Sequence, residues 1–110
     1  AILYDADSGR FEEFWGQGVP LGIAADAVFE ERERRNLKSG GIIFIGTDGI
    51  CETAGPDGQL FGKDALRDLI RTTSERSARD ITKAVVQALD AFRKGLKPSD
   101  DITMVVIKIL

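Results

Sequence analysis

The fold is decided by Ile42-Ile43-Phe44-Ile45, which runs into Thr47-Asp48-Gly49, and by Ile102 to Leu110, which Asp100-Asp101 precedes. Short apolar runs of this kind predict buried β-strands. Asp48 lies just past the end of the first run, and Asp100 lies just before the start of the second. If the two strands pair antiparallel, both carboxylates fall at one sheet edge, where neighbouring strands are about 4.8 Å apart. Carboxylate oxygens that converge there suit a hard divalent cation such as Mg²⁺ or Mn²⁺.

Each acidic pattern also has a simpler interpretation. Asp48-Gly49 alone is typical of a turn in which the glycine supplies a positive φ. Asp100-Asp101, after Pro98-Ser99, is typical of a polar loop. The pairing of the two patterns favours a metal site, but the residues alone leave both interpretations open.

The bulk composition excludes several classes of function. The 110 residues suffice for one domain, and the net charge of −3 without a long basic block disfavours a nucleic-acid partner. No apolar run approaches the roughly 20 residues that span a membrane. One cysteine, Cys51, rules out an internal disulfide and is compatible with a reducing compartment, so we expect a cytoplasmic protein. The absence of histidine removes Ser-His-Asp and Cys-His catalysis.

The pattern along the chain predicts an α+β fold. Residues 1–15 predict a hairpin, and the charged segment 28–37 predicts a solvated strand near a sheet edge. Apolar residues at helical spacing predict one helix over about 63–73 and a second that Ser77 caps and Gly95 ends. We therefore expect a largely antiparallel β-sheet with two helices packed on one face.

Two further residues beside Asp48 are candidates for a role. Cys51 as a phosphatase nucleophile would need an arginine six residues later, where Asp57 stands, so a small packed side chain is favoured. Glu52 either orients a metal-bound water or a loop amide, or is a surface residue of the loop.

Four segments, in this order, resemble the SpoIIE-like, metal-dependent serine/threonine phosphatases, the bacterial branch of the type-2C (PPM-type) protein phosphatases. These segments are Val19 to Ile23, Ser39 to Glu52, Gly58 to Gly62 and Ser99 to Thr103. The resemblance runs from about Val19 to Leu110, and four short tags in the correct order are highly specific.

The resemblance implies a fold, a chemistry and a set of site residues. The fold is an α-β-β-α sandwich, in which two manganese or magnesium ions hold a water that attacks a phosphoserine or phosphothreonine. Asp48 and Asp100 correspond to two of the metal ligands. Beside them, Gly49, Glu52 and Asp101 are candidate supporting residues.

The chain also departs from the family pattern. The family's first half carries a metal-bridging aspartate, and no such segment occurs before Val19. Because Ala1 also enters a strand directly, we expect residues 1–110 to be a single partial domain, the C-terminal half, and to be inactive alone. The apolar surface left by missing strands predicts a homodimer of this piece.

The implied partners belong to the parent protein. They are a phosphorylated protein substrate, such as an anti-sigma-factor antagonist in bacterial signalling, and an upstream sensor or receiver domain. A non-catalytic pseudophosphatase or interaction module is the competing hypothesis, and an aspartate upstream of Ala1 would discriminate the two. A two-metal nuclease is weaker, because the residues flanking Asp48 and Asp100 are neutral or acidic.

Overall fold

A computed structural model describes residues 1–14, 16 and 18–110. In this part of the chain a single antiparallel sheet has the strand order β2-β1-β3-β4, and two helices lie between its third and fourth strands in sequence. The elements are β1 (Ile2–Asp5), β2 (Arg10–Glu13), β3 (Ile42–Gly46), α1 (Gly62–Thr72), α2 (Ala78–Arg93) and β4 (Met104–Lys108). The predicted α+β class is confirmed.

The hairpin of β1 and β2 forms as expected. The Asp5 carboxylate accepts the backbone N–H of Asp7 at 2.9 Å, and this bond lowers the pKa of Asp5. Gly9 closes the turn with a φ of +68°, a conformation that few other residues adopt readily. The returning strand ends at Glu13, and Trp15, where the predicted hairpin ended, lies outside the described residues.

The pairing of β3 with β4 places the two acidic loops at one edge of the sheet. The strands run antiparallel, with Gly46 opposite Met104. The fourth strand begins at Met104, two residues later than the apolar run suggested, and Thr103 before it is bonded by both the hydroxyl and the backbone N–H of Thr47.

Both helices pack on the same face of the sheet, as predicted. The Ser77 hydroxyl caps α2 by accepting the N–H of Asp80 at 3.1 Å, and Gly95 follows its end with a φ of +89°. No helix in the described ranges is long and apolar enough to cross a membrane. One core joins helices and sheet, formed by Tyr4, Ile42, Phe44, Ile50, Leu66, Ile70, Ile81, Val85 and Leu89.

The prediction of a strand over 28–37 is wrong. The segment is irregular and almost wholly exposed, with Asn36 at a φ of +60°. A strand at a sheet needs one face to bury, and this segment carries charges at both alternating positions. Its side chains form ion pairs instead, with each other or, as Arg34 does with Glu12 at 3.4 Å, with the hairpin.

The second face of the sheet carries apolar side chains that are partly open to solvent. Ile45, Val105 and Ile107 are 45%, 51% and 42% exposed, and Ile45 lies directly opposite Val105 in the register. Exposed apolar side chains that cluster in this way mark a surface suited to a partner.

Candidate functional site

The turn that follows β3 holds Asp48 and Glu52 at the surface. The N–H of Glu52 donates to the Asp48 carbonyl at 2.9 Å, and the Thr53 hydroxyl donates to the Gly49 carbonyl at 2.7 Å. Ile50, only 1% exposed, anchors the turn in the core. Both carboxylate side chains are exposed on this fixed backbone, so a ligand could reach them.

Thr47 ties this turn to the loop that carries Asp100. Its N–H donates to the Thr103 carbonyl at 3.0 Å, and its hydroxyl accepts the N–H of Thr103 at 3.2 Å. The same hydroxyl lies 3.4 Å from the Asp101 carbonyl. This role of Thr47 was not predicted from the sequence. The signal that could have indicated this role was the position of Thr47, whose hydroxyl lies directly between a strand end and a candidate ligand.

Gly49 is needed because the two loops approach closely. A Cβ built on it would lie 2.5 Å from the Asp101 carbonyl oxygen, well inside van der Waals contact. Its φ is not among the positive values of the chain, so the expectation that it supplies a positive φ is wrong. Asp48-Gly49 therefore forms a turn and is also the point at which the two loops come into close contact.

Asp100 and Asp48 lie on these joined loops but face different cavities. Asp48 lines a cavity of about 390 Å³, and Asp100 lines a smaller one of about 60 Å³ beside Arg93. An Asp100 oxygen accepts the N–H of Asp101 at 2.8 Å, and both residues are exposed. The structure thus brings the two loops together at one sheet edge, without a described contact between the two carboxylates.

The larger cavity is lined by both charged and apolar side chains. Asp48, Glu52 and Glu13 contribute carboxylates, and Lys63 contributes an ammonium group. The apolar side chains that line it are those of Phe14, Phe44, Ile50, Leu60 and Leu66. A mainly apolar lining with a few polar groups is typical of a site that binds and orients a ligand.

Cys51 lines the same cavity but is poorly suited to nucleophilic chemistry. Burial raises the pKa of its thiol, Lys63 opposes that effect, and the charge of Asp48 reinforces it together with the other two carboxylates. A thiol with a raised pKa carries little thiolate near neutral pH. The interpretation of Cys51 as a packed side chain is the one that this environment favours.

Glu13 holds an ion-pair cluster that sequence reasoning missed. Its side chain is 19% exposed, and its carboxylate pairs with Lys63 at 3.4 Å and with the guanidinium of Arg67. Burial acts to raise the pKa of Glu13, but the hydrogen bonds and charges of the two cations outweigh it, so the pKa is lowered. About fifty positions separate the partners, which leaves no local pattern to detect.

The sequence profile of the family "Stage II sporulation protein E (SpoIIE)" matches residues 1–110. The chain belongs to the SpoIIE family. Among solved structures, the SiaA-PP2C domain of Pseudomonas aeruginosa is similar to it, with a TM-score of 0.71 and 24% sequence identity. The match covers 98% of this chain and 43% of the SiaA-PP2C chain. The SpoIIE-family chain therefore spans less than half of the length of the SiaA-PP2C chain. This likeness shows that the fold is that of a PP2C-type domain. No curated protein matched the chain.

The fit of a metal to this SpoIIE-family chain is partial. Exposed carboxylates are the donors that Mg²⁺ and Mn²⁺ prefer. However, the described residues contain no group of three or more acidic, histidine or cysteine side chains that could hold a metal ion. The donor chemistry of Asp48 and Asp100 therefore suits a hard cation, while the donor number within residues 1–14, 16 and 18–110 does not complete a site.

Proposed function

We propose that the chain is part of a metal-dependent serine/threonine phosphoprotein phosphatase. The observation that carries this proposal is the joining of the Asp48 turn to the Asp100 loop by Thr47, in a chain that matches the SpoIIE family over its whole length. When bound, Mn²⁺ or Mg²⁺ would lower the pKa of water and offset charge on the phosphoryl oxygens.

The residues of this chain would supply one side of such a site. Asp48 and Asp100 are the proposed metal ligands, and Glu52 and Asp101 are proposed to support them from the same loops. Thr47 holds those loops together through its hydrogen bonds. Gly49 allows their close approach because it has no side chain. The remaining ligands would come from residues outside 1–110, so these residues alone would be inactive as the C-terminal half of the domain.

The substrate and partners follow from the same proposal. The substrate would be a phosphorylated protein, with an anti-sigma-factor antagonist in bacterial signalling as the first candidate, and the parent protein would carry an upstream sensor or receiver domain. We place the reaction in the cytoplasm. The net charge of −3 supports neither a nucleic-acid partner nor an anionic membrane surface.

The test is manganese-dependent phosphate release from a phosphoserine peptide by the protein extended upstream to a complete domain. We expect Asp48→Asn and Asp100→Asn to lower the rate at least roughly 100-fold, since loss of outer-shell partners alone costs 10- to 100-fold. Asp26→Asn, at an exposed position, is the matched control and should keep the wild-type rate. A folded wild-type protein that is inert with both manganese and magnesium would contradict the proposal.

A non-catalytic interaction module is the second candidate. The incomplete donor set of the described residues favours it, because a protein can keep the PP2C fold without a full metal pair. If the extended protein is inert, this candidate predicts that it still captures a regulatory protein partner in a pull-down, and that Asp48→Asn leaves the capture unchanged.

A homodimer of residues 1–110 is a separate expectation. The partly exposed apolar face that includes Ile45, Val105 and Ile107 would then be covered by a second copy. Size-exclusion chromatography with light scattering should show mass above that of one chain, and a clean monomer at high concentration would refute the expectation.

A further inference from the structure

We propose that Lys63 is the cation of this chain that binds the phosphoryl group of the substrate, an inference that rests on the proposed phosphatase function. Lys63 lies in the first turn of α1, on the wall of the cavity that Asp48 and Glu52 also line. Nothing in the family match assigns it a role.

The charge of the cavity requires such a group. A phosphoserine side chain carries a charge of about −1.5 to −2 near neutral pH. The cavity presents the carboxylates of Asp48 and Glu52 to it, which repel that charge, while its third carboxylate, Glu13, is already paired with Arg67. Among the described residues that line this cavity, Lys63 is the only lysine or arginine. The positive charge of Lys63 acts on Cys51, which lines the same cavity, because it acts to lower the pKa of that thiol against the effect of burial.

The contact of Lys63 with Glu13 can be exchanged for one with a phosphate. Its side chain is half exposed, and its ammonium nitrogen lies 3.4 Å from one Glu13 oxygen. The other Glu13 oxygen is bonded by Arg67, so Glu13 keeps a cationic partner when Lys63 turns into the cavity. A lysine ammonium on a flexible four-carbon stem is suited to this change of partner.

The experiment uses the complete protein with manganese, in three variants. Lys63→Ala removes the cation, Lys63→Arg keeps one, and Lys83→Ala removes an exposed lysine of α2 that does not line the cavity. We expect Lys63→Ala to raise the KM for a phosphoserine peptide, and the inhibition constant of inorganic phosphate, by roughly 10-fold or more, as a charged hydrogen bond is worth about 1.5–3 kcal/mol. Lys63→Arg should recover most of the loss, and the manganese concentration for half-maximal rate should stay unchanged.

The outcomes separate this inference from the proposed function. An active wild type whose KM and phosphate inhibition are unchanged in Lys63→Ala overturns the role of Lys63 and leaves the phosphatase standing. If the wild type is inert, the proposed function fails, and calorimetric titration with inorganic phosphate decides the inference. Phosphate that binds the wild type but not Lys63→Ala supports it, and equal or absent binding refutes it. Lys63→Gln, which keeps a polar side chain without the charge, replaces Lys63→Ala if the latter melts at a lower temperature.

Discussion

Substitution of Gly49 by alanine tests whether the two acidic loops are held together by close contact. The added Cβ would lie 2.5 Å from the Asp101 carbonyl oxygen and 3.6 Å from a side-chain carbon of Ile102. The first neighbour is backbone, which cannot step aside as the end of a flexible side chain can. Because the φ of Gly49 is not positive, alanine itself can adopt the local conformation, and the effect arises from displacement of the facing loop.

The magnitude follows from two independent routes. Overpacking of a close contact typically costs about 1–3 kcal/mol. The same displacement would break the hydrogen bonds between Thr47 and the loop at Asp101 and Thr103. Each such bond has a net worth of about 0.5–1.5 kcal/mol, and the loss of two gives a similar sum. We therefore expect local opening of these loops to become easier by about 1–3 kcal/mol, a factor of roughly 5 to 150.

Hydrogen exchange followed by mass spectrometry on the complete protein measures this opening. Peptides that contain the amides of Thr47 and Thr103 should exchange faster in Gly49→Ala by the factor above. Gly16→Ala is the matched control, because no atom of the described residues lies within 4 Å of its built Cβ. Equal exchange in the two variants would refute the close-contact argument.

Three further predictions concern the core, the thiol and the ion-pair cluster. Leu89→Ala should lower the free energy of unfolding by about 2–5 kcal/mol in urea denaturation, while Val86→Ala, 44% exposed on the same helix, should cost far less. Cys51 in the folded protein should react with iodoacetamide at pH 8 more slowly than in the denatured chain, since burial raises the pKa of its thiol; equal rates would contradict this. The folded-state pKa of Glu13 is lowered, so its stabilising contribution is present above its ordinary value of 4.5 and is lost as pH falls through the folded value. Stability measured against pH should therefore decline less steeply in acid for Glu13→Gln, and an identical slope would count against the pairing.

The elements that could be predicted from the sequence are those in which the spacing of apolar residues matches the burial of their side chains. In α2, residues such as Ile81, Val85 and Leu89 recur at helical spacing, and all three are buried. The run Ile42–Ile45 predicted β3 for the same reason, since its length and composition fit a strand with a buried face. The location of the acidic loops at one sheet edge followed from strand direction alone.

The features that escaped prediction depend on contacts between distant segments. The charged segment 28–37 carries charges at both alternating positions, so neither face could be buried against a sheet, and an ion pair of Arg34 with Glu12 brings it to the hairpin instead. The pairing of Glu13 with Arg67 joins positions 54 apart. Local patterns carry no information about such pairs, so the composition of the cavity wall could not be derived from them.

The charge of the larger cavity sets a condition on the proposed reaction. The carboxylates of Asp48 and Glu52 have no ion-pair partner among the described residues, and Lys63 alone does not offset both, so the cavity disfavours a phosphoryl dianion. Added divalent cations would reverse that balance, because each contributes two positive charges next to Asp48. Under the proposed function, divalent cations would therefore strengthen phosphoryl binding at this site, and Lys63 would add its positive charge to theirs. Because the carboxylates of Asp48 and Glu52 face solvent, they stay hydrated without a ligand and are accessible to a cation.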